Sequence, residues 1–124
     1  MRVRVPEAVL EGIMELAMGA HPREMIMLLR GVRAGGDIEI TETRFPPMGV
    51  GGRGFASFPV HMLPIDLSIV GTVHSHPSGN LSPSSGDFNG FYGRIMMIVG
   101  PPFDRLAVAV YDKRGDRLDV EVIG

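Results

Sequence analysis

The stretch from Met25 to Leu29 is apolar at every position, and this constrains the fold more than any other feature. A strand with one face in water alternates apolar and polar residues, whereas a strand covered on both faces reads as a continuous apolar run. Ile95 to Val99 has the same character and Leu67 to Val73 departs from it only at Ser68, Gly71 and Thr72, so this chain needs layers on both sides of a sheet. The residues before Met25 supply one layer. Arg2 to Val5 alternates charged and apolar residues as a short strand does, and Pro6 sits where the first turn of a helix tolerates a missing N–H. Val9, Ile13, Leu16, Ala17 and Ala20 then recur at helical spacing on one face, with Glu7, Glu11 and Glu15 opposite. Such a helix packs its apolar stripe inward and shows its acids to water. His21 and Pro22 end it, and Glu24 opens the apolar run.

Further along, Gly35, Gly36 and Asp37 make a turn, and Asp37 to Arg44 reads as the second strand of a hairpin. The prolines and glycines from Phe45 to Gly54 suggest a mobile loop, followed by Phe55 to Phe58 and the short segment His61 to Asp66. Leu67 to Val73 is expected as a buried strand, His74 to Ser84 as a loop and Ser85 to Gly93 as a short helix. Ile95 to Val99, Leu106 to Asp112 and Arg117 to Ile123 are expected as strands, the last two joined by a turn over Lys113 to Asp116. No repeat, low-complexity segment or linker interrupts the chain.

Composition narrows the class. With 124 residues, 44% of them hydrophobic, and no cysteine, the expectation is a single domain over residues 1–124 whose core needs no disulfide. The longest apolar runs fall far short of the ~20 residues that span a bilayer, and the N-terminus lacks a signal-peptide core. A cytoplasmic protein with no membrane partner is therefore expected. Twelve basic against fourteen acidic residues give a net charge of −2, without a basic run, so a nucleic-acid partner is not expected. Lys113 is the only lysine. This would limit self-modification in a protein that handles lysine conjugates, but codon bias is the cheaper explanation.

The chemistry concentrates after the second apolar run. His74 and His76 flank Ser75 at the end of a predicted strand, where side chains alternate, so both imidazoles point to one side and can converge on one ion. Asp87 follows a loop rich in proline, glycine and serine, a composition suited to folding back and returning a third ligand. Two imidazoles and a carboxylate leave the fourth tetrahedral position of zinc to water, which is a catalytic arrangement rather than a closed structural one. A thiolate site is excluded by the absence of cysteine. Each residue also has a plainer reading: Ser84 and Asp87 suit a helix cap, Glu24 the solvated start of a strand, and His21 and His61 a helix end and a loop.

Taken together, Glu24 near the start of an early apolar strand, then His74-Ser75-His76-Pro77, Ser84 and Asp87, resemble the JAMM signature of the MPN-domain metalloproteases. The order of elements is similar over nearly the whole chain. His76 to Gly79 is also similar to RadC-type bacterial relatives, whose usual Asn between the histidines is Ser75 here. The resemblance implies a cytidine-deaminase-like α/β fold, a mixed β-sheet flanked by helices. It implies one Zn2+ per chain held by His74, His76 and Asp87, with Glu24 as general base and Ser84 donating to the oxyanion. It also implies hydrolysis of peptide or isopeptide bonds at the C-terminal tail of ubiquitin or ubiquitin-like modifiers and their conjugates. An extended tail ending in Gly-Gly could add as a strand to a sheet edge or pair with the loop Phe45 to Gly54. Deamination is disfavoured, because a zinc deaminase needs cysteine ligands. The rival expectations are a non-catalytic MPN scaffold, which usually has lost metal ligands, and a RadC-like zinc hydrolase. The oligomeric state is not legible.

Overall fold

The computed structural model describes residues 1–46 and 66–124. The chain begins with strand β1, Arg2–Pro6, whose alternation buries Val3 and Val5 completely. Pro6 caps helix α1, Glu7–Ala20, in an extended conformation, and a cap has no use for the N–H that proline lacks. α1 buries Leu10, Ile13, Met14 and Ala17, an i, i+3, i+4, i+7 stripe. The expected stripe was rotated: Val9 and Ala20 only flank this core, and Leu16 is 40% exposed. Leu10 and Met14 extend the buried arc on the side away from Val9 and Leu16.

Strands β2, Ile26–Ala34, and β3, Asp37–Arg44, form the expected hairpin, with Gly35 at φ 66° in its turn. β2 runs on past the apolar stretch through a register shift between Arg30 and Gly31. A Cβ at Gly31 would lie 2.4 Å from the Glu39 carbonyl oxygen, so only glycine permits this approach. Strand β4 spans Ile69–Ser75, two residues later than expected at each end. Leu67 is left out because Asp66 folds the chain into a turn, accepting from the Ser68 N–H at 2.9 Å and the Ser68 hydroxyl at 2.6 Å. At the other end His74 and Ser75 stay in the ladder, paired with Ile98 and Val99.

Helix α2, Ser85–Asn89, stops at Gly90, short of the expected Gly93. Strand β5, Ile95–Val99, is buried throughout and matches expectation. Strand β6, Val108–Asp112, starts later than expected, since Leu106 is 88% exposed in a turn capped by the Asp104 carboxylate. Strand β7, Arg117–Ile123, is as expected. The segments Phe55 to Phe58 and His61 to 65, and the loop Phe45 to Gly54 from residue 47 onward, lie outside the described residues.

The sheet is mixed and carries helices, as expected, but it also closes on itself in the order β1-β3-β2-β4-β5-β6-β7. Closure comes from β1, which pairs parallel to both β3 and β7. The face turned toward α1 gathers most of the core, including Leu29, Ile38, Ile40, Val73, Met97 and Val110. The opposite face of β5 and β6 presents Ile98, Ala109 and Tyr111, covered by Leu81. His74 lies beside Ile98 in the parallel pair of β4 and β5, so it emerges on this second face. That face positions the candidate site.

Candidate metal centre

His74 occupies the penultimate position of β4 and is 8% exposed; His76 follows the strand. The alternation puts both imidazoles on one face, as expected, with ring centroids 5.0 Å apart and planes inclined by 22°. Ser75 points the other way. Its hydroxyl accepts from the Met25 N–H at 2.8 Å, while its own N–H donates to the Met25 carbonyl at 3.0 Å. This clamp continues the antiparallel register in which Ile26 faces His74. Extended by two residues beyond its last pair, that register would bring Glu24 across from His76. Glu24 is half-buried just ahead of β2.

The loop from Pro77 to Ser84 does fold back. Gly79, at φ 83°, donates its N–H to the His76 carbonyl at 3.0 Å, and the Tyr111 hydroxyl donates to the Leu81 carbonyl at 2.8 Å. The loop thereby delivers Ser84 and α2. Ser84 and Asp87 form a capping box: the Asp87 N–H donates to the Ser84 hydroxyl oxygen at 3.1 Å, and the Ser84 N–H donates to Asp87 Oδ2 at 2.7 Å. The same carboxylate faces the histidines, with Oδ1 3.4 Å from His74 Nε2 and Oδ2 3.2 Å from His76 Nε2. Asp87 is therefore a cap and a member of the cluster at once.

One donor atom of each of His74, His76 and Asp87 lies within 4.8 Å of the others. Two further observations bear on whether a cation suits this group. His74 Nε2 is buried and has no hydrogen-bond partner, a costly state for a polar atom unless something meets it. His76 Nδ1 lies 2.7 Å from the Asn80 carbonyl oxygen, which fixes that nitrogen as the protonated one and leaves Nε2 with its lone pair toward Asp87. Burial pushes the Asp87 carboxyl up, but the adjacent His74 imidazole and the Ser84 N–H outweigh it and hold the carboxyl well below the usual carboxylate range. Two imidazoles and a carboxylate converging in this way are a donor set for a borderline-soft divalent ion such as zinc.

The model of the prokaryotic homologues of the JAB domain matches residues 6–112. The chain belongs to this JAMM/MPN domain family. A "Probable metalloprotease" from Haloferax volcanii is 32% identical over 121 residues, covering 92% of this chain and 75% of that protein. A solved structure described as "JAMM: A Metalloprotease-like Zinc Site in the Proteasome and Signalosome" superposes with a TM-score of 0.70 at 29% identity, each chain covered completely. A JAB1/MPN domain protein from Archaeoglobus fulgidus gives 0.71 at 28% identity over 98% of both chains. Family membership and the His74, His76 and Asp87 group together support metalloprotease chemistry.

Of the other histidines, His21 caps the end of α1 and packs edge-on against Phe103, at 5.5 Å, in keeping with a helix-end role. His61 lies outside the described residues. Sequence reasoning missed Asn80 and Tyr111, which hold His76 and the loop. Asn80 acts through its main-chain carbonyl, which leaves no trace in residue type, and Tyr111 reads only as an apolar strand residue.

Proposed function

We propose that this chain is a zinc-dependent metallo-isopeptidase or peptidase that cleaves at the C-terminal tail of ubiquitin-like modifiers. The observation that carries the reading is the buried, unpartnered Nε2 of His74 facing Asp87 beside His76. His74, His76 and Asp87 would hold one zinc, which when bound supplies Lewis acidity toward a scissile carbonyl. Glu24 accepts a proton from the attacking water and returns it to the leaving amine. The Ser84 hydroxyl oxygen already accepts from the Asp87 N–H, so its hydrogen is left to donate to the carbonyl oxygen as charge develops there. His76 is held in the right tautomer by Asn80, and Asp87 in the right rotamer by the Ser84 N–H.

The substrate class rests on the family and on the sheet. Among the described residues, β1 pairs with β3 only at Ile38 and Glu39. The rest of β3 toward Arg44 keeps β2 on one side, at the end of the sheet where β2 begins and β4 carries His74. Among the described residues no second strand pairs with that part of β3, and such an edge suits an extended, glycine-ending tail. The partners are then ubiquitin-like modifiers and their conjugates, met in the cytoplasm; no described helix is long and apolar enough to cross a membrane.

The test is hydrolysis of a ubiquitin-like protein fused through its tail to a reporter, with zinc content measured on the same sample. Cleavage that a chelator abolishes and added zinc restores is the expected result. Bound zinc without cleavage would favour the non-catalytic scaffold, and cleavage indifferent to chelation would remove the metal from the reaction. The scaffold reading is the weaker one, because the whole donor group is present.

A further inference from the structure

The opposite end of the barrel carries a second feature of different character. There the start of β4, the approach to β5 and the ends of β2 and β6 surround a cleft of about 540 Å3. β4 is roughly 20 Å long, and the metal group lies at its far end, so the two sites are separate. Arg33, Arg94, Lys113 and Arg114 all line the cleft. Among the described residues none of them meets a carboxylate, whereas Arg2, Arg4, Arg30, Arg44 and Arg105 each do.

Among the described residues two acids, Asp66 and Asp112, line the cleft and offset only half of those four cations. Asp66 is occupied by Ser68, and Asp112 accepts from the Arg114 and Asp116 N–H groups at 2.9 and 3.0 Å. In a chain of net charge −2, unbalanced positive charge is gathered at one place. Apolar surface is gathered with it: Leu67 is 92% exposed and Val32 53% exposed, and both line the same cleft. The walls are rigid. Gly93 sits at φ 81°, where a Cβ would lie 2.6 Å from the Val70 carbonyl oxygen, and Arg94 donates its N–H to that oxygen at 2.8 Å. Gly115 at φ 86° closes the Lys113–Arg114 turn onto the Asp112 carbonyl at 3.0 Å.

We propose that this cleft docks an acidic segment of a partner protein, one with apolar side chains interspersed among its carboxylates. The charge selects carboxylates, and a preformed cationic wall suppresses basic competitors and speeds encounter. Leu67 and Val32 select against a small inorganic anion, which would leave them in water. Among the described residues Tyr92 is the only aromatic lining the cleft, too little for a base-stacking platform. The partner is held away from Glu24 and the metal group, so docking and occupancy of the candidate centre are compatible.

The test is fluorescence anisotropy with the whole chain and a fluorescein-labelled peptide of three Glu-Asp-Leu repeats, in low salt. Saturable binding is expected. It should weaken at least about tenfold in Arg94→Glu with Lys113→Glu, because like charges are then opposed across the contact. It should also weaken when the leucines of the peptide are replaced by serine, and when salt shortens the screening length to a few ångströms. Arg33→Glu with Arg114→Glu provides a second, independently folded variant, and unchanged melting temperatures show that both variants are intact. Equal binding to wild type and both variants would overturn the proposal, as would no saturable binding. So would binding of inorganic triphosphate or of phosphatidylserine vesicles that the variants abolish while the peptide stays unbound.

Discussion

Asp87 is the residue at which local and long-range demands meet. Its carboxylate accepts from the Ser84 N–H and faces two imidazoles, so the helix cap fixes the rotamer that the metal group requires. Sequence reasoning sets cap against ligand as alternatives because spacing alone cannot show that a carboxylate has two oxygens to share. His74 and His76, by contrast, were legible from strand alternation, and Ser75 could be assigned to the other face by the same rule. Glu24 was legible only through the family pattern; the Ser75 hydroxyl that holds the neighbouring Met25 N–H is a contact no pattern reveals. Glu24→Gln preserves shape but cannot accept a proton, so it should retain bound zinc while turnover falls by ~100 to 10,000-fold. Zinc analysis and turnover on one sample check this, and near-normal turnover would place the base elsewhere. Ser84→Ala should do two things. Loss of the cap costs about 0.5–2 kcal/mol of stability, seen as a lower melting temperature, and loss of an oxyanion donor lowers kcat more than it raises KM. A lower melting temperature with an unchanged rate per folded molecule would leave Ser84 as a cap alone.

Elements were legible in type and blurred at their ends. β4 was placed two residues early because Leu67 is apolar and His74 polar, yet the Asp66 turn ejects the one and pairing with β5 retains the other. The helical stripe was rotated for a similar reason, since periodicity admits neighbouring stripes and only the strands choose between them. The join between β1 and β3 is held by charge as well as by two register pairs. Asp37 accepts from the Arg2 N–H at 2.9 Å and pairs with Arg4 at 2.9 Å. The Arg2 N–H, then the Arg4 guanidinium, hold the Asp37 carboxyl below its usual range. A carboxyl whose folded pKa is depressed contributes stability that is fully present above its unfolded pKa and lost as pH falls through the folded one. Thermal unfolding should therefore show a melting temperature that drops as pH falls below about 4. Asp37→Asn keeps the acceptor for Arg2 but removes the charge, so it should melt slightly lower at neutral pH and have a flatter acid limb. Parallel acid limbs would show that Asp37 contributes nothing to the pH dependence.

At the scale of the whole molecule, the mixed sheet with helices followed from the apolar runs and the family pattern. Closure did not, because the pairing of first and last strands joins residues more than a hundred positions apart and leaves no local signal. The cationic cleft was illegible for the same reason: its cations come from β2, the approach to β5 and the turn after β6, and the sequence shows only a balanced charge. Closure has a mechanical consequence. β1 and β7 run parallel and in register from Arg2 with Asp119 to Pro6 with Ile123. Forces that drag these strands along their axes in opposite directions load the whole ladder together, in shear, instead of unzipping it bond by bond. Stretching single molecules by β1 and β7 should give one abrupt rupture rather than a staircase, and Val120→Pro, which removes an N–H from that ladder, should lower the rupture force. A domain latched in this way would resist a motor that unfolds proteins by pulling on them, and would yield mainly at the rate at which that one seam lets go.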